Sequence, residues 1–399
     1  MTQPLRIRQV QVYPLAIPMR FRFEHAAAAR TTADPVIVRL VAEVPYAGHA
    51  GCGETLARRY VTGETQDSVV EDVCHVLTPR LLDFRPGSFA EALEFIDALP
   101  TLYDRRRIHA ARAAVELALL DLACRVFERR MAEAAAWLDL PGFGPPGCRG
   151  TARYSGIVVG RAPRRLAAFL RLQRCYGLRD FKLKVAVDGW EQRLEAACRV
   201  LRPAIDAGRA TLRVDANGGW SYEQAVAALP LLERCGVSAI EQPLPRSDDE
   251  KLPLLREQTR CDLIADESLL TIADAERLAV TRATQVLDIR LAKNGGLLPA
   301  LRIASLALAA GLDVELGCMV GETSLLASAG VAFLEACPQV RFVEGAYARW
   351  LLRGDVGCPP IRFHRGGRMR ALPGFGLGVD VDPAALEQFR VTPPAIVNL

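Results

Sequence analysis

Three acidic residues and a pair of lysines hold the chemistry that can be read from this chain. Asp215, Glu241 and Asp266 each follow a short apolar run: Leu212-Arg-Val-Asp215, Ala239-Ile-Glu241 and Leu263-Ile-Ala-Asp266. Three converging anions repel one another and are costly to desolvate unless a cation neutralises them. Ligation by carboxylate oxygens alone suits Mg²⁺, with Mn²⁺ as the alternative, and leaves positions for substrate oxygens. Taken singly, Asp215 and Asp266 would fit helix caps; three acids at matching positions favour a metal. The five histidines are scattered and offer no ligand spacing. The lysines are the second signal. Of 50 cationic residues only Lys182, Lys184, Lys251 and Lys293 are lysine, and two of these fall in Phe181-Lys-Leu-Lys-Val185. Arginine stays protonated, whereas a lysine can be tuned to exchange a proton near neutrality. Lys184 is therefore expected to move the α-proton of a metal-held carboxylate substrate, and Lys182 to depress its pKa by like-charge repulsion.

Such residues converge only if the elements bearing them are arranged in register. From Tyr154 onward, short apolar runs alternate with amphipathic stretches. Strands are expected at Tyr154–Val159, Phe181–Val185, Thr211–Val214, Ala239–Ile240, Leu263–Ala265, Val286–Leu291, Asp313–Glu315 and Phe342–Val343, with helices such as Trp190–Leu201, Ser221–Cys235, Ile272–Val280 and Leu298–Ala310 between them. Eight strands separated by helices are the mark of a parallel barrel, whose reactive groups stand at the carboxyl ends of its strands. Before it, Ile7–Tyr13 and Pro35–Val41 read as strands and Arg107–Val126 as a helix, which makes an α+β region. Arg20-Phe-Arg-Phe23-Glu-His25 reads as a loop, Gly51-Cys-Gly-Glu54 as a strand-end turn with a structural Glu, and Tyr60–Glu64 as a loop able to reach the site. The Gly/Pro cluster Pro141–Gly147 marks a boundary. The expected division is residues 1–135 as cap, 150–345 as barrel, and 346–399 as a segment returning to the cap.

Composition excludes several classes. Half the residues are hydrophobic and a quarter charged, net charge is +4, and the charges are interspersed. No basic stripe points to nucleic acid or a membrane surface. No apolar run has membrane-spanning length, and the first residues lack the layout of a signal peptide. Eleven cysteines, an odd number without a C-x-x-C, fit reduced thiols in a cytoplasmic protein.

Together, Lys182-x-Lys184, Asp215-x-Asn217, Glu241-Gln-Pro243, Asp266-Glu267-Ser268 and Lys293-x-Gly295-Gly296 resemble the enolase superfamily, specifically its muconate-lactonizing-enzyme subgroup. The resemblance covers most of the chain. It implies an α/β fold, a modified (β/α)7β TIM-type barrel with an α+β capping domain formed by the N-terminal region and the C-terminal tail. It also implies Mg²⁺ on Asp215, Glu241 and Asp266, with Lys184 as acid/base on one face of an enolate. Asn217, Glu267, Lys293 and Glu322 would touch substrate or support the site, and a closing loop would bring Arg20, Phe23 and His25. The partner is a small-molecule carboxylate, and barrels of this type commonly form even-numbered homo-oligomers.

One departure carries information. The subgroup generally has a second catalytic lysine on the sixth strand, where this chain has Arg290. If that strand continues, Lys293 points to the other face and cannot replace it. Arginine serves as a fixed cation rather than a base, for a substrate carboxylate, the enolate, or Glu267. Chemistry on one face, as in a cycloisomerase or a syn-eliminating lyase, then becomes the leading expectation. The alternatives are a racemase or epimerase of amino-acid or dipeptide type and a non-catalytic metal-binding relative. Strand eight, Phe342-Val-Glu344-Gly, lacks the Asp-x-Asp of dipeptide epimerases, and no His-Asp pair suggests a sugar-acid dehydratase.

Overall fold

The computed structural model describes residues 3–25, 28–143, 153–158, 162–369 and 371–399, with only the backbone of Glu24, His25 and Ala28. The barrel strands are Gly156–Val158, Asp180–Lys184, Thr211–Asp215, Ala239–Glu241, Asp262–Ala265, Val286–Ile289, Asp313–Leu316 and Phe342–Val343. They lie in one eight-stranded sheet in chain order, and every pair is parallel. The sheet closes on itself where Tyr154 bridges Val343 and the Ser155 N–H donates to the Val343 carbonyl at 2.8 Å. Each strand is short because it crosses a barrel wall, and each of the first seven is followed by a helix before the next strand begins. Ser221 and Thr271 start two of these helices through reciprocal caps with Gln224 and Asp274. The expected strand end at Val159 and most of the Gly/Pro cluster (144–147) lie outside the described residues.

The sixth strand differs from expectation. It stops at Ile289, and Leu291–Asn294 form one helical turn that ends at Gly295 with φ of +89°. Asn294 starts this change by accepting the Arg290 N–H at 2.9 Å. The turn swings Lys293 back into the wall, so the alternation argument that placed it on the far face does not apply.

Period-two alternation sorts the strand residues into layers. Ala239, Ile264, Val286 and Phe342 form an apolar plug inside the barrel. The Arg213 guanidinium lies over the Phe342 ring, 4.1 Å from its centroid, and it pairs with Glu315 and Glu344 at 3.0 and 2.7 Å. Two residues further along those strands come Glu241, Asp266, Asp288 and Glu344, of which the first two are expected from the sequence as metal ligands. The polar layers thus rest on a packed floor, which fixes their heights.

The cap is a four-stranded antiparallel sheet in the order Ala395–Asn398, Ile7–Pro14, Val36–Ala42, Ala50–Thr55. Val397 stands opposite Val10, so the end of the chain does return to the first strand. Helix His109–Val126 is buried on nearly all sides, as expected for a helix held between the cap sheet and the barrel. Gly53 permits that approach: a Cβ there would lie 2.0 Å from the Ala114 carbonyl oxygen. Gly51-Cys-Gly-Glu54 is therefore the middle of a strand and not a turn. Likewise Arg20–His25 is no loop; it belongs to strand Ile17–His25, which pairs with Ala28–Ala33 in a hairpin.

Candidate active site

The carboxyl ends of barrel strands two to six converge on one buried cluster of ions. Lys182 sits deepest and donates to Glu241 at 2.8 Å and to Glu344 at 2.7 Å, with Asp215 at 3.6 Å. Lys184, on the same strand face and nearer the opening, donates to Asp215 and, at 2.9 Å, to the Asn217 Oδ1. Asn217 passes the contact on by donating to Glu267 at 3.1 Å. Arg290 pairs directly with Asp266 and lies 3.6 Å from Glu241, while its Nε donates to Asp288 at 2.9 Å. Lys293 is fully buried and donates to the Asp266 Oδ1 and to the carbonyls of Asp266 and Asp288, all at 2.7 to 2.8 Å. It is therefore a wall fastener between strands five and six.

These contacts set the electrostatics. Burial disfavours the Lys184 ammonium and Lys182 repels it, yet the charge and hydrogen bond of Asp215 together with the Glu241 charge raise its pKa. The depression expected from Lys182 is thus outweighed by the surrounding carboxylates, because a carboxylate in contact acts more strongly than a cation one layer below. Lys182 itself is raised well above its ordinary value, since Glu241, Glu344, Asp215 and Glu315 overcome the cost of its burial. Despite burial, Lys184 and Lys182 hold the Asp215 carboxyl far below the usual range, and Arg290 and Lys293 do the same for Asp266. Burial and the Asp215 charge push Glu241 upward against the pull of Lys182.

The donor set fits a divalent cation. Among the described residues, the seven carboxylates Asp215, Glu241, Asp266, Glu267, Asp288, Glu315 and Glu344 face five cations, Lys182, Lys184, Arg213, Arg290 and Lys293. Counted as ionised, the carboxylates outnumber the cations by two, and burial with neighbouring charge pushes the Glu267 and Glu315 carboxyls up to about 8. Glu267 Oε2, Asp288 Oδ1 and Glu315 Oε2 are buried without a hydrogen-bond partner. Oxygens of Glu241, Asp266 and Asp288 lie within 4.8 Å of one another, as do those of Glu241, Glu315 and Glu344. Asp215 belongs to neither group, although it is within hydrogen-bonding reach of Glu241. Of the expected set of Asp215, Glu241 and Asp266, the last two therefore meet beside an unforeseen Asp288, while Asp215 stands next to Glu241 outside that group.

The sequence profile of the family described as Enolase C-terminal domain-like matches residues 165–385. The L-Lys-D/L-Arg epimerase of Methylococcus capsulatus is 32% identical over 388 residues, covering 94% of this chain and 99% of that protein. The chain belongs to the enolase superfamily. It falls in the muconate-lactonizing-enzyme subgroup and is an enzyme of that superfamily. Chloromuconate cycloisomerase CbnB of Cupriavidus necator is 28% identical over 86% of this chain and 89% of its own length. The substrate-liganded L-Ala-D/L-Glu epimerase of Bacillus subtilis superposes with a TM-score of 0.80 at 27% identity, covering 94% of this chain and 98% of that one.

The remaining candidates of this superfamily member are spread more widely. Phe23 is buried and lines a cavity of about 560 Å³ beside the strand-seven and strand-eight ends, together with Phe169, Tyr176, Met319, Tyr347 and Trp350. Glu322 reaches the same cavity, where burial and the Glu54 charge push its carboxyl well up. Arg20 is solvent-exposed, and the His25 side chain lies outside the described residues. Arg290 is held by Asp266 and Asp288, not by a hydrogen bond to Glu267. Glu64 turns away from the site and accepts the N–H groups of Ala110 and Ala111. Trp190 and Trp220 pack on each other at 5.4 Å. Asp288, Glu315 and Arg213 were not anticipated. The signal for Asp288 and Arg213 is a charge two residues before one already suspected, Arg290 and Asp215; Glu315 carries no such signal.

Proposed function

We propose that this protein is a Mg²⁺-dependent enzyme that forms or protonates an enolate α to a substrate carboxylate, using Lys184 on one face. The observation that carries this is the environment of Lys184. It is the lysine nearest the opening, and its neighbours Asp215 and Asn217 point its Nζ. Asp215, Glu241 and Asp266 would hold the metal, which when bound supplies the positive charge that acidifies the α-proton. Lys184 then takes or returns that proton. Lys182, clamped between Glu241 and Glu344, keeps the carboxylates at fixed height and adds positive potential below Lys184. Arg290 stays protonated, so the sixth strand offers no base. Cycloisomerisation or syn elimination follows from a single base, and chloromuconate cycloisomerase is among the relatives.

The cavity beside the site adds to the substrate's description. It meets the small pocket lined by Arg290 and Glu344 through Cys318, Met319 and Glu322. Its lining is almost wholly apolar, so the substrate's remote part is apolar rather than cationic.

A second reading is a racemase or epimerase, favoured by the 32% identity to an L-Lys-D/L-Arg epimerase over nearly the whole chain. One experiment separates them. Carboxylates with apolar or cationic remote groups are incubated with Mg²⁺ and enzyme in D₂O and followed by NMR and chiral chromatography. Cyclised or eliminated product, or α-deuteration without inversion, is expected for the apolar members. Deuteration with inversion would establish the epimerase instead.

A further inference from the structure

Asp288 is the buried charge that the proton-transfer scheme leaves without a task. It is fully buried on strand six, two residues before Arg290. Arg290 keeps an extended backbone, with φ of −124° and ψ of 120°, so both side chains face the barrel interior. The Asp288 Oδ2 accepts the Arg290 Nε–H at 2.9 Å, and its Oδ1 has no partner. On strand seven the Gly317 N–H donates to the Ile289 carbonyl at 2.9 Å, which places Gly317 alongside. A Cβ on Gly317 would come within 2.1 Å of the Asp288 Oδ1. Glycine there opens the slot that the carboxylate fills.

We infer that Asp288, seated in the slot left by Gly317, is the positioning residue that sets where the Arg290 guanidinium stands between Glu241 and Asp266. A guanidinium has two ends, and here they are used differently. The Nε edge is tied back to Asp288, while Nη2 pairs with Asp266 and lies 3.6 Å from Glu241. Arg290 thereby shares two carboxylates with the metal of the proposed function, on which this inference rests. Already in contact with Asp266, the guanidinium is limited by the tether to Asp288 in how far it can settle onto Glu241 as well, which limits its competition with the cation. Lysine at 290 would lack the Nε edge, so the arginine and its partner on the same strand act as a unit.

The test is a double-mutant cycle on the full-length protein with Asp288→Asn, Arg290→Met and the pair. Mg²⁺ affinity is read by calorimetry, and stability of the metal-free protein by urea unfolding. Arg290→Met is expected to tighten Mg²⁺ binding, because a competitor is gone. Asp288→Asn is expected to weaken it about fivefold or more in the native background and less than about twofold beside Arg290→Met. Equal weakening in both backgrounds would make Asp288 a metal ligand in its own right and overturn the inference. Additive effects on metal-free unfolding would also overturn it, because the pair would then be uncoupled. If no variant bound Mg²⁺ while unfolding remained coupled, the metal reading would fail and the Asp288–Arg290 unit would stand. Gly317→Ala, which evicts the carboxylate without changing charge, should reproduce the Asp288→Asn affinity; native-like affinity in a folded Gly317→Ala protein would count against the slot.

Discussion

At the scale of single residues, the site depends on which cation meets which carboxylate. Lys182 and Lys184 differ by one layer of the barrel, and that decides their work. Lys182 is enclosed by Glu241, Glu344 and Asp215, while Lys184 stands above it with its side chain 16% exposed. Only the upper one can meet a substrate. Lys184→Ala should therefore lower solvent exchange of the substrate α-proton by at least about a hundredfold, with the circular dichroism spectrum little changed and Mg²⁺ still bound. Exchange at the native rate in that variant would remove Lys184 from the reaction. Arg290→Lys addresses the other face. If position 290 is what restricts the chemistry to one side, a lysine there should introduce measurable inversion at the α-carbon, read by chiral chromatography. Unaltered stereochemistry would show that Arg290 does not restrict it.

At the scale of elements, close approach governs the cap. Helix His109–Val126 lies against strand Ala50–Thr55 so tightly that a Cβ on Gly51 or Gly53 would strike helix backbone at 2.2 or 2.0 Å. A backbone oxygen cannot rotate aside as a side chain can. Gly53→Ala should cost about 3 kcal/mol, read as a lowered urea midpoint with an unchanged slope; a midpoint within error of the native one would mean that the helix is free to shift. This contact also shows where reading a sequence stops. The barrel strands were legible because each buries both faces and reads as an apolar run, and Asp215, Glu241 and Asp266 were legible because each closes such a run. Gly51 and Gly53 look like turn residues until the helix that needs them is known. The end of strand six at Ile289 was hidden for a similar reason. Asn294, four residues on, draws the Arg290 N–H into a helical turn, and no local apolar pattern announces that. The inner ions Arg213, Glu315 and Glu344 find their partners, and Asp288 comes near Glu241 and Asp266, only across strands, once the barrel closes.

At the scale of the whole molecule, buried glutamates fasten cap to barrel. Glu54 of the cap sheet accepts the N–H groups of Thr323 and Leu326 and the Thr323 hydroxyl, at the start of helix Ser324–Ala336. Glu116, on the long buried helix, accepts from Leu297 and Leu298 at the start of helix Leu297–Ala309. A helix N-terminus is a favourable place for a carboxylate, but burial works against its charge. Burial prevails in both, pushing the Glu54 and Glu116 carboxyls up to about 7 from 4.5. A carboxyl raised on folding binds its proton more tightly in the native state, so its stabilising contribution is greatest below its unfolded pKa. It fades as pH climbs from about 4.5 to about 7, by roughly 3 kcal/mol per group. His109 opposes this over part of the range. Its burial lowers its pKa from 6.5 to about 4, so its contribution is lost as pH falls through that window. Comparing the native protein with Glu54→Gln separates the two, since His109 is common to both. Urea unfolding at a series of pH values should show the native protein losing stability relative to Glu54→Gln between pH 4.5 and 7, with a constant difference above that. A difference that stays flat across the window would mean that the Glu54 carboxyl is not raised by its burial and that the cap is fastened by a charged carboxylate at the helix start.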